Sequence, residues 1–491
     1  MTTLELVGEA RNLIDGELRE SSSGAVFENV DPATEEALGV VADATAADMD
    51  EAIAGARRAF DAEVWSTDLD LRLRCLRQLQ AALEEEKELL REEIVAEVGA
   101  PIALTYGPQL DAPLGDALLW PVERAVDYPW ERRIADGRAF GKSKRIVTKV
   151  PVGVVGAITP WNYPFEIALA KLGQALVAGN TVVLKPAPDT PWTATRIGRL
   201  VAEKTDIPAG VVNVVTSSDH ALGEQLVTDP RVDMISFTGS TATGRRIMAA
   251  GAPTLKRLFL ELGGKSAQIY LDDADLESAL AMAAFSVCAH GGQGCAMPTR
   301  MLLPRSRYDE GLEIVTQAFR DLKYGDPRDF DNLQGPQISR AQRDKVLGMI
   351  EQGVAEGARL VVGGGRPAHL DRGWYVEPTL FADVDNSMSI AQQEIFGPVL
   401  AVIPFDDDDD AVRIANDSEY GLSGMVSSGD LDRALAVAHR VRSGTMTVNG
   451  GQWYGAEAPF GGFKASGVGR QNGDEGFEQY LETRTIGMPL D

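Results

Sequence analysis

The sequence predicts an α/β protein with two Rossmann-like parallel-sheet domains, a cleft between them and a small β arm for oligomerisation. Three observations lead there. From residue 146 onward, short β-branched runs alternate with helical segments, which is how βαβ units read. The strand candidates are continuously apolar, as strands covered on both faces are. A second alternating region follows over about 266–448, so a crevice between two halves is expected. The length of 491 residues agrees, since it allows about three domains.

Each element has its own signal. Residues 47–98 place apolar side chains at helical spacing until Gly99. Cys75 lies inside that amphipathic pattern, where a core role is expected. The segment 128–151 fits neither half and reads as a polar hairpin standing off the body. "VGVVGAI" (152–158), "TVVLKP" (181–186), "VVNVV" (211–215), "DMISF" (233–237) and "RLFLEL" (257–262) read as strands, with helices at 164–179 and 191–205. A ligand of such a sheet sits beyond the carboxyl ends of its strands. In the second half "SAQIYL", "TRMLLP", "GPVLAVIPF", "SGMVSSG" and "GTMTVN" are the strand candidates. The C-terminal "FEQYLETRTIGMPL" reads as a last helix and then a strand. Outlying strands of this kind pair with another subunit.

Composition excludes several functions. Hydrophobic residues make up 44% and charged residues 24%, an ordinary soluble balance. No run reaches the ~18 apolar residues of a membrane span, and "MTTLELVGEARNLIDGELRE" is too acidic and broken for a secretory signal. A cytoplasmic protein is expected. The net charge of −26 repels phosphate backbones and anionic lipids, so neither nucleic acid nor membrane is an expected partner. The run Asp406–Asp410 reads as a solvated turn leading into a helix. The three cysteines (Cys75, Cys288, Cys295) have no CxxC spacing, and the four histidines form no HExxH. No metal site is expected.

Chemistry concentrates at a few places. Three strands of the first half end in Thr159, Pro160 and Trp161, in Lys185, and in "TGSTATG" (238–244), which opens a helix. Taken alone, Gly239, Ser240 and Gly244 read as an ordinary helix cap. Convergence of three strand ends adds the reading of an anion site, with Ser240 on a pyrophosphate and Lys185 on a ribose or phosphate. Cys295 comes after "FSVCAHGGQG", where the chain leaves a helix and turns through glycines. It is either a small hydrophobe or a nucleophile whose own N–H helps hold an oxyanion. Glu261 ends a strand before Gly263 and Gly264; it is either a general base or a turn residue paired with a lysine. Cys288 reads as core.

The motifs "PWNYPF" (160–165), "FTGSTATG" (237–244), "ELGGKS" (261–266), "GGQGC" (291–295), "EIFGPV" (394–399) and "PFGGFKASGVGR" (459–470) stand in order over about residues 25–485. In this the chain resembles the NAD(P)-dependent aldehyde dehydrogenase superfamily. The resemblance implies Cys295 as nucleophile, Glu261 as the base that activates water, and Asn162 as a side-chain oxyanion donor. It implies a cofactor site from Thr159, Pro160, Trp161, Lys185, Gly239, Ser240, Gly244, Leu262, Glu394 and Phe396. Tyr163, Ile167, Tyr454 and Phe460 match the substrate tunnel, with Trp453 adjacent; aromatic walls suit an apolar or aromatic aldehyde. The implied domains are a cofactor-binding domain (1–127 and 149–262), an oligomerisation arm (128–148 and 480–491) and a catalytic domain (263–479). The implied reaction is hydrolytic: a thiohemiacetal on Cys295 loses hydride, and the thioester is released as acid. Some lowering of the Cys295 pKa is expected, since a free thiol at ~8.5 is only a few per cent thiolate at neutral pH.

The chain also departs from the family. Pro188 stands where many members have a glutamate that grips the ribose, which leaves NADP physically admissible. Asp189 and Asp219 disfavour a 2′-phosphate, so NAD is expected. Gln471 stands where some members carry a second carboxylate, so Glu261 works alone or through water. The expected partners are a small aldehyde and further copies of the chain, as homodimer or homotetramer. Competing readings are a CoA-acylating enzyme, which needs no Glu261, a non-catalytic protein on the same scaffold, and a cysteine hydrolase, which needs a placed histidine.

Overall fold

A computed structural model describes residues 8–139 and 142–490. The first residues of the N-terminal stretch, two residues of the 128–151 hairpin and residue 491 of the expected arm lie outside them. The architecture is α/β, with an 8-stranded sheet, a 7-stranded sheet and a 3-stranded sheet.

In the first sheet, Val154–Ile158 is central. It pairs in parallel with Thr181–Lys185 on one side and Met234–Thr238 on the other. Val212–Val214 and Arg257–Glu261 extend the two sides, again in parallel. The chain thus starts in the middle, builds outward, returns and builds the other way. The carboxyl ends of Val154–Ile158 and Met234–Thr238 flank the point of reversal, where an open α/β sheet leaves a crevice for a ligand. Thr159–Trp161 and Gly239–Ser240 lie there. Both faces are covered: one buries Leu169, Leu172, Leu176 and Ile197, the other Ile53, Leu226 and Ile247.

The second sheet runs in the order Arg359–Val362, Thr379–Ala382, Val399–Phe405, Arg300–Pro304, Ala267–Tyr270, Gly424–Ser427, Thr447–Val448. All its pairings are parallel except the edge pair Arg359–Val362 with Thr379–Ala382. Apolar clusters cover both of its faces. Thr379–Ala382 lies inside this sheet and is missing from the strands expected of the sequence. Late in the chain, Gly467–Val468 crosses back to pair antiparallel with Leu260–Glu261 of the first sheet.

The 47–98 region is not one helix. It divides into Ala46–Asp61, Val64–Thr67, Leu69–Glu85 and Lys87–Val98. Glu63 takes a left-handed φ of 62°, and Asp68 caps the next helix by accepting from the Leu71 N–H. Apolar periodicity does not register such breaks, because it continues across them. Gly99 ends the last helix at φ 67°, as a C-terminal glycine does.

Glu131–Gly137, Ser143–Pro151 and Leu481–Pro489 form the 3-stranded sheet, with the C-terminal strand antiparallel to Ser143–Pro151 over its whole length. Its side chains are mostly exposed or half-buried. Among the described residues no helix is long and apolar enough to cross a membrane.

Candidate active site

The crevice at the reversal point has a volume of about 190 Å³ and brings together parts of both large sheets. Its lining includes Pro160, Trp161 and Asn162 from one strand end, Gly239 and Ser240 from the next, Glu261 and Leu262 from the third, and Cys295, Glu394 and Phe396 from the second half. Thr238, Gly263, Gln342 and Lys345 also line it, and the sequence had not marked them.

Cys295 is half-buried, whereas Cys75 and Cys288 are buried, as a core role requires. The turn before Cys295 is tightly wound: His290, Gly291 and Gly292 take φ values of 54°, 67° and 72°. Glycine fits the third place for a second reason. A Cβ on Gly292 would lie 2.1 Å from the carbonyl carbon of Gly397, so the turn rests directly on the "EIFGPV" loop. Gln293 clamps the loop on either side of itself. Its Nε2 donates to the carbonyls of His290 (3.0 Å) and Pro336 (3.2 Å), and its Oε1 accepts from the Ile338 N–H at 2.8 Å. The Gln293 carbonyl accepts from Asn162 Nδ2 at 2.9 Å. That bond pins Asn162 against the cysteine loop and leaves the second amide hydrogen for another acceptor. Gln109 Nε2 holds the Asn162 backbone carbonyl at 3.0 Å.

Glu261 is 3% exposed and its Oε1 has no hydrogen-bond partner. Its strand is gripped by the returning chain, with Glu261 opposite Gly467 and the Leu262 N–H donating to the Ser466 carbonyl at 3.0 Å. Burial pushes the carboxyl up to about 8, against the lowering pull of the Cys295 thiol and Lys171. Lys171 itself is buried and brought down to about 7 by burial. Its ammonium lies 4.6 Å from the Phe259 ring and donates to Ser236 Oγ at 3.2 Å and to Gln471 Oε1 at 3.5 Å. Gln471 is thus a neutral partner of this lysine.

The Cys295 thiol departs from expectation. Its pKa lies above the ordinary thiol value, because burial and then the Glu261, Glu394 and Glu166 carboxylates all disfavour the thiolate. The sequence foresaw a lowering; the long-range contacts surround the sulfur with acids instead. His290 is no dyad partner. It is fully buried, burial brings it down to about 4, and its ring meets the Tyr163 ring edge-on at 5.4 Å.

Toward the nucleotide end, Ser240 caps the helix Thr241–Gly251 by accepting from the Thr243 N–H at 3.2 Å. Cap and anion readings are compatible, since the hydroxyl keeps further hydrogen-bonding capacity. Gly244 lets Leu262 pack on that helix; a Cβ there would lie 2.6 Å from Leu262 Cδ2. Thr159 is buried and its N–H donates to the Lys185 carbonyl at 3.2 Å, tying two strand ends together. Lys185 is 4% exposed; burial brings it down to about 8, while Asp219 and Asp43 pull it back up. Glu394 Oε1 accepts from the Gly264 N–H at 2.9 Å. Phe396, at φ 60°, sets its ring edge-on to Trp161 at 5.3 Å. Gln342 Nε2 holds the Phe396 carbonyl at 2.8 Å.

On the far side of Cys295, Tyr163 and Ile167 lie one turn apart at the start of the helix Pro164–Val177. Trp453 stacks on Phe460 at 5.3 Å, the Tyr454 ring lies 6.3 Å from Phe460, and the Tyr454 hydroxyl donates to Glu166 Oε1.

The acidic run lies elsewhere. Asp406–Asp409 border a separate hollow of about 420 Å³ with Arg433. Asp407 caps the helix Asp408–Asn416, and Arg433, Arg440 and Arg305 pair with the run. Among the described residues no group of His, Cys, Asp and Glu could hold a metal.

A sequence-family model described as aldehyde dehydrogenase family matches residues 18–486. This chain belongs to the aldehyde dehydrogenase family. A 3-succinoylsemialdehyde-pyridine dehydrogenase of Pseudomonas is 42% identical over 476 residues, covering 96% of this chain and 97% of the relative. The crystal structure of a Mycobacterium tuberculosis aldehyde dehydrogenase complexed with NAD+ superposes with a TM-score of 0.94 at 43% identity, covering 98% and 99% of the two chains. Betaine aldehyde dehydrogenase of Staphylococcus aureus, also with NAD+, gives 0.94 at 35% identity over 98% and 94%. The loop cysteine, the strand-end carboxylate and the buried asparagine are thus features of an aldehyde dehydrogenase chain.

Proposed function

We propose that this aldehyde dehydrogenase oxidises an aldehyde to the carboxylic acid with NAD+, through a covalent adduct on Cys295 that Glu261 helps hydrolyse. The observation behind this reading is the meeting of Cys295, Glu261 and the Asn162 amide in one crevice. The NAD+-bound relatives support the cofactor. The residues fit it: a buried lysine at one strand end, a capped helix N-terminus at the reversal point, and Glu394 and Phe396 facing Trp161. Asp219 and Asp43 beside Lys185 repel a 2′-phosphate, which favours NAD over NADP.

The Cys295 sulfur attacks the aldehyde carbon as Glu261, in its ionised form, takes the thiol proton. A raised carboxyl and a raised thiol are suited to this exchange, because neither holds a charge cheaply in the crevice. Asn162 Nδ2–H and the Cys295 N–H stabilise the resulting oxyanion, each worth about 3 kcal/mol. Bound NAD+ supplies the acceptor for the hydride that the adduct carbon loses, which leaves a thioester on Cys295. Glu261, once it has released its proton to solvent, takes another from water as the water oxygen attacks the thioester carbon; the C–S bond then breaks, the acid leaves and the Cys295 sulfur takes a proton back. Glu261 is the feature that separates this reading from a CoA-acylating one. Cys295→Ala tests it: NADH formation across an aldehyde panel is expected to fall at least about 10³-fold while NAD+ binding persists. Robust turnover in the variant would overturn the assignment.

We further propose that the arm (128–148 and 480–491) joins copies of the chain, that 1–127 with 149–262 binds the cofactor, and that 263–479 carries the nucleophile. The arm sheet's two outer strands leave backbone groups unpaired, which supports a dimer or tetramer.

A further inference from the structure

Glu166 takes no part in the steps above, yet it lies near enough to Cys295 for its charge to act on the thiol. It is the third residue of the helix Pro164–Val177. The two residues before that helix touch the nucleophile loop: Asn162 bonds the Gln293 carbonyl at 2.9 Å, and Tyr163 meets His290 ring to ring at 5.4 Å. Glu166 turns its carboxylate to the segment 449–458, where the Tyr454 hydroxyl donates to Oε1. Trp453 and Phe460 stack beside Tyr454, with ring planes 13° apart. Glu166 is half-buried in this aromatic wall; burial raises its carboxyl to about 7 while Tyr454 and Lys171 pull it down, and above that pH its charge reaches both Cys295 and Tyr454. Asp116 adds negative charge beside it, its Oδ2 accepting from the Ala456 N–H at 3.2 Å. Lys171, on the same helix, gives its hydrogens to Ser236 and Gln471.

We infer that Glu166 is a specificity-determining residue that selects aldehydes carrying a positive charge at the end remote from the carbonyl and rejects those ending in a carboxylate. This rests on the reaction proposed above and names the substrate class of the same site. A cationic tail meets a carboxylate already desolvated and held by Tyr454, and lies against the electron-rich faces of Trp453 and Phe460. An anionic tail meets repulsion and loses its own water.

The test compares aldehydes of equal length ending in trimethylammonium, in tert-butyl, its uncharged isostere, or in carboxylate. In Glu166→Gln the trimethylammonium to tert-butyl ratio of kcat/KM is expected to fall about tenfold. Glu166→Asp is expected to retain the ratio, and the carboxylate-tailed substrate is expected to gain in Glu166→Gln. A wild-type melting curve certifies the fold, and the tert-butyl substrate carries any effect of the variant on Cys295 that is common to all aldehydes. An unchanged ratio in Glu166→Gln with a wild-type melting curve would sink the inference. If no aldehyde reduces NAD+ in any of these proteins, the reaction reading fails instead. The same ratio, read calorimetrically from binding of the corresponding alcohols, then decides the role of Glu166.

Discussion

Cys295 is a thiol among acids, and that decides how the chemistry starts. With burial first and then Glu261, Glu394 and Glu166 raising its pKa, the proposed mechanism makes the thiolate by proton transfer at the moment of attack rather than storing it beforehand. Glu261 then sets the pH behaviour. Its carboxyl is raised to about 8; below that value it carries a proton and cannot take one from water. Thioester hydrolysis is therefore expected to rise with pH through about 8, measured as the steady rate after the first turnover. In Glu261→Gln the first-turnover burst of NADH and the steady rate should both drop, the steady rate about 10²–10⁴-fold. A steady rate close to wild type would remove Glu261 from hydrolysis. Asn162→Ala should lower kcat about 10²–10³-fold; a change confined to KM would place the amide outside the oxyanion site. All three residues stand out in the sequence, because each lies within a short motif. The direction of the thiol shift was not legible, since its causes are burial first and then carboxylates at positions 261, 394 and 166.

At the scale of the element, the left-handed turn His290–Gly292 fixes the Cys295 loop. Its glycines are visible in the sequence; its close rest on Gly397 is not. Gly292→Ala combines an unfavourable φ with a Cβ inside the contact distance of backbone. Backbone cannot move aside as a flexible side chain can. A melting temperature well below wild type and loss of activity are expected; a wild-type melting curve would show that the turn adapts. The helix Pro164–Val177 does several tasks through its first turns: Asn162 and Tyr163 at its entrance, Glu166 in the wall, Lys171 under Glu261. Only its entrance carried a readable signal. Glu166 and Lys171 look like ordinary charges on a helix until the sheet beneath and the loop opposite are known. The broken helices of 46–98 teach the same limit: apolar spacing records which face is buried, while a left-handed Glu63 and a capping Asp68 set where the helices stop.

The whole molecule places the crevice at the reversal of the first sheet and brings Cys295 to it from the second half. The returning pair Gly467–Val468 joins the two at the Glu261 strand. The arm predicts assembly: sedimentation at micromolar concentration should show a dimer or tetramer, and removal of residues 481–491 should yield smaller species. A monomeric full chain would refute the arm's role. By itself the sequence determined the α/β class, the five parallel strands of the first sheet, the family resemblance and the chemical groups at Cys295, Glu261 and Asn162. These come from local periodicity and from motifs within a dozen residues. Only the tertiary structure decided the protonation of the thiol, the clamp of Gln293, the neutral contact between Gln471 and Lys171 and the position of Glu166. Burial and Coulomb fields depend on which distant residues meet, and that is set by strand order rather than by neighbours in the chain.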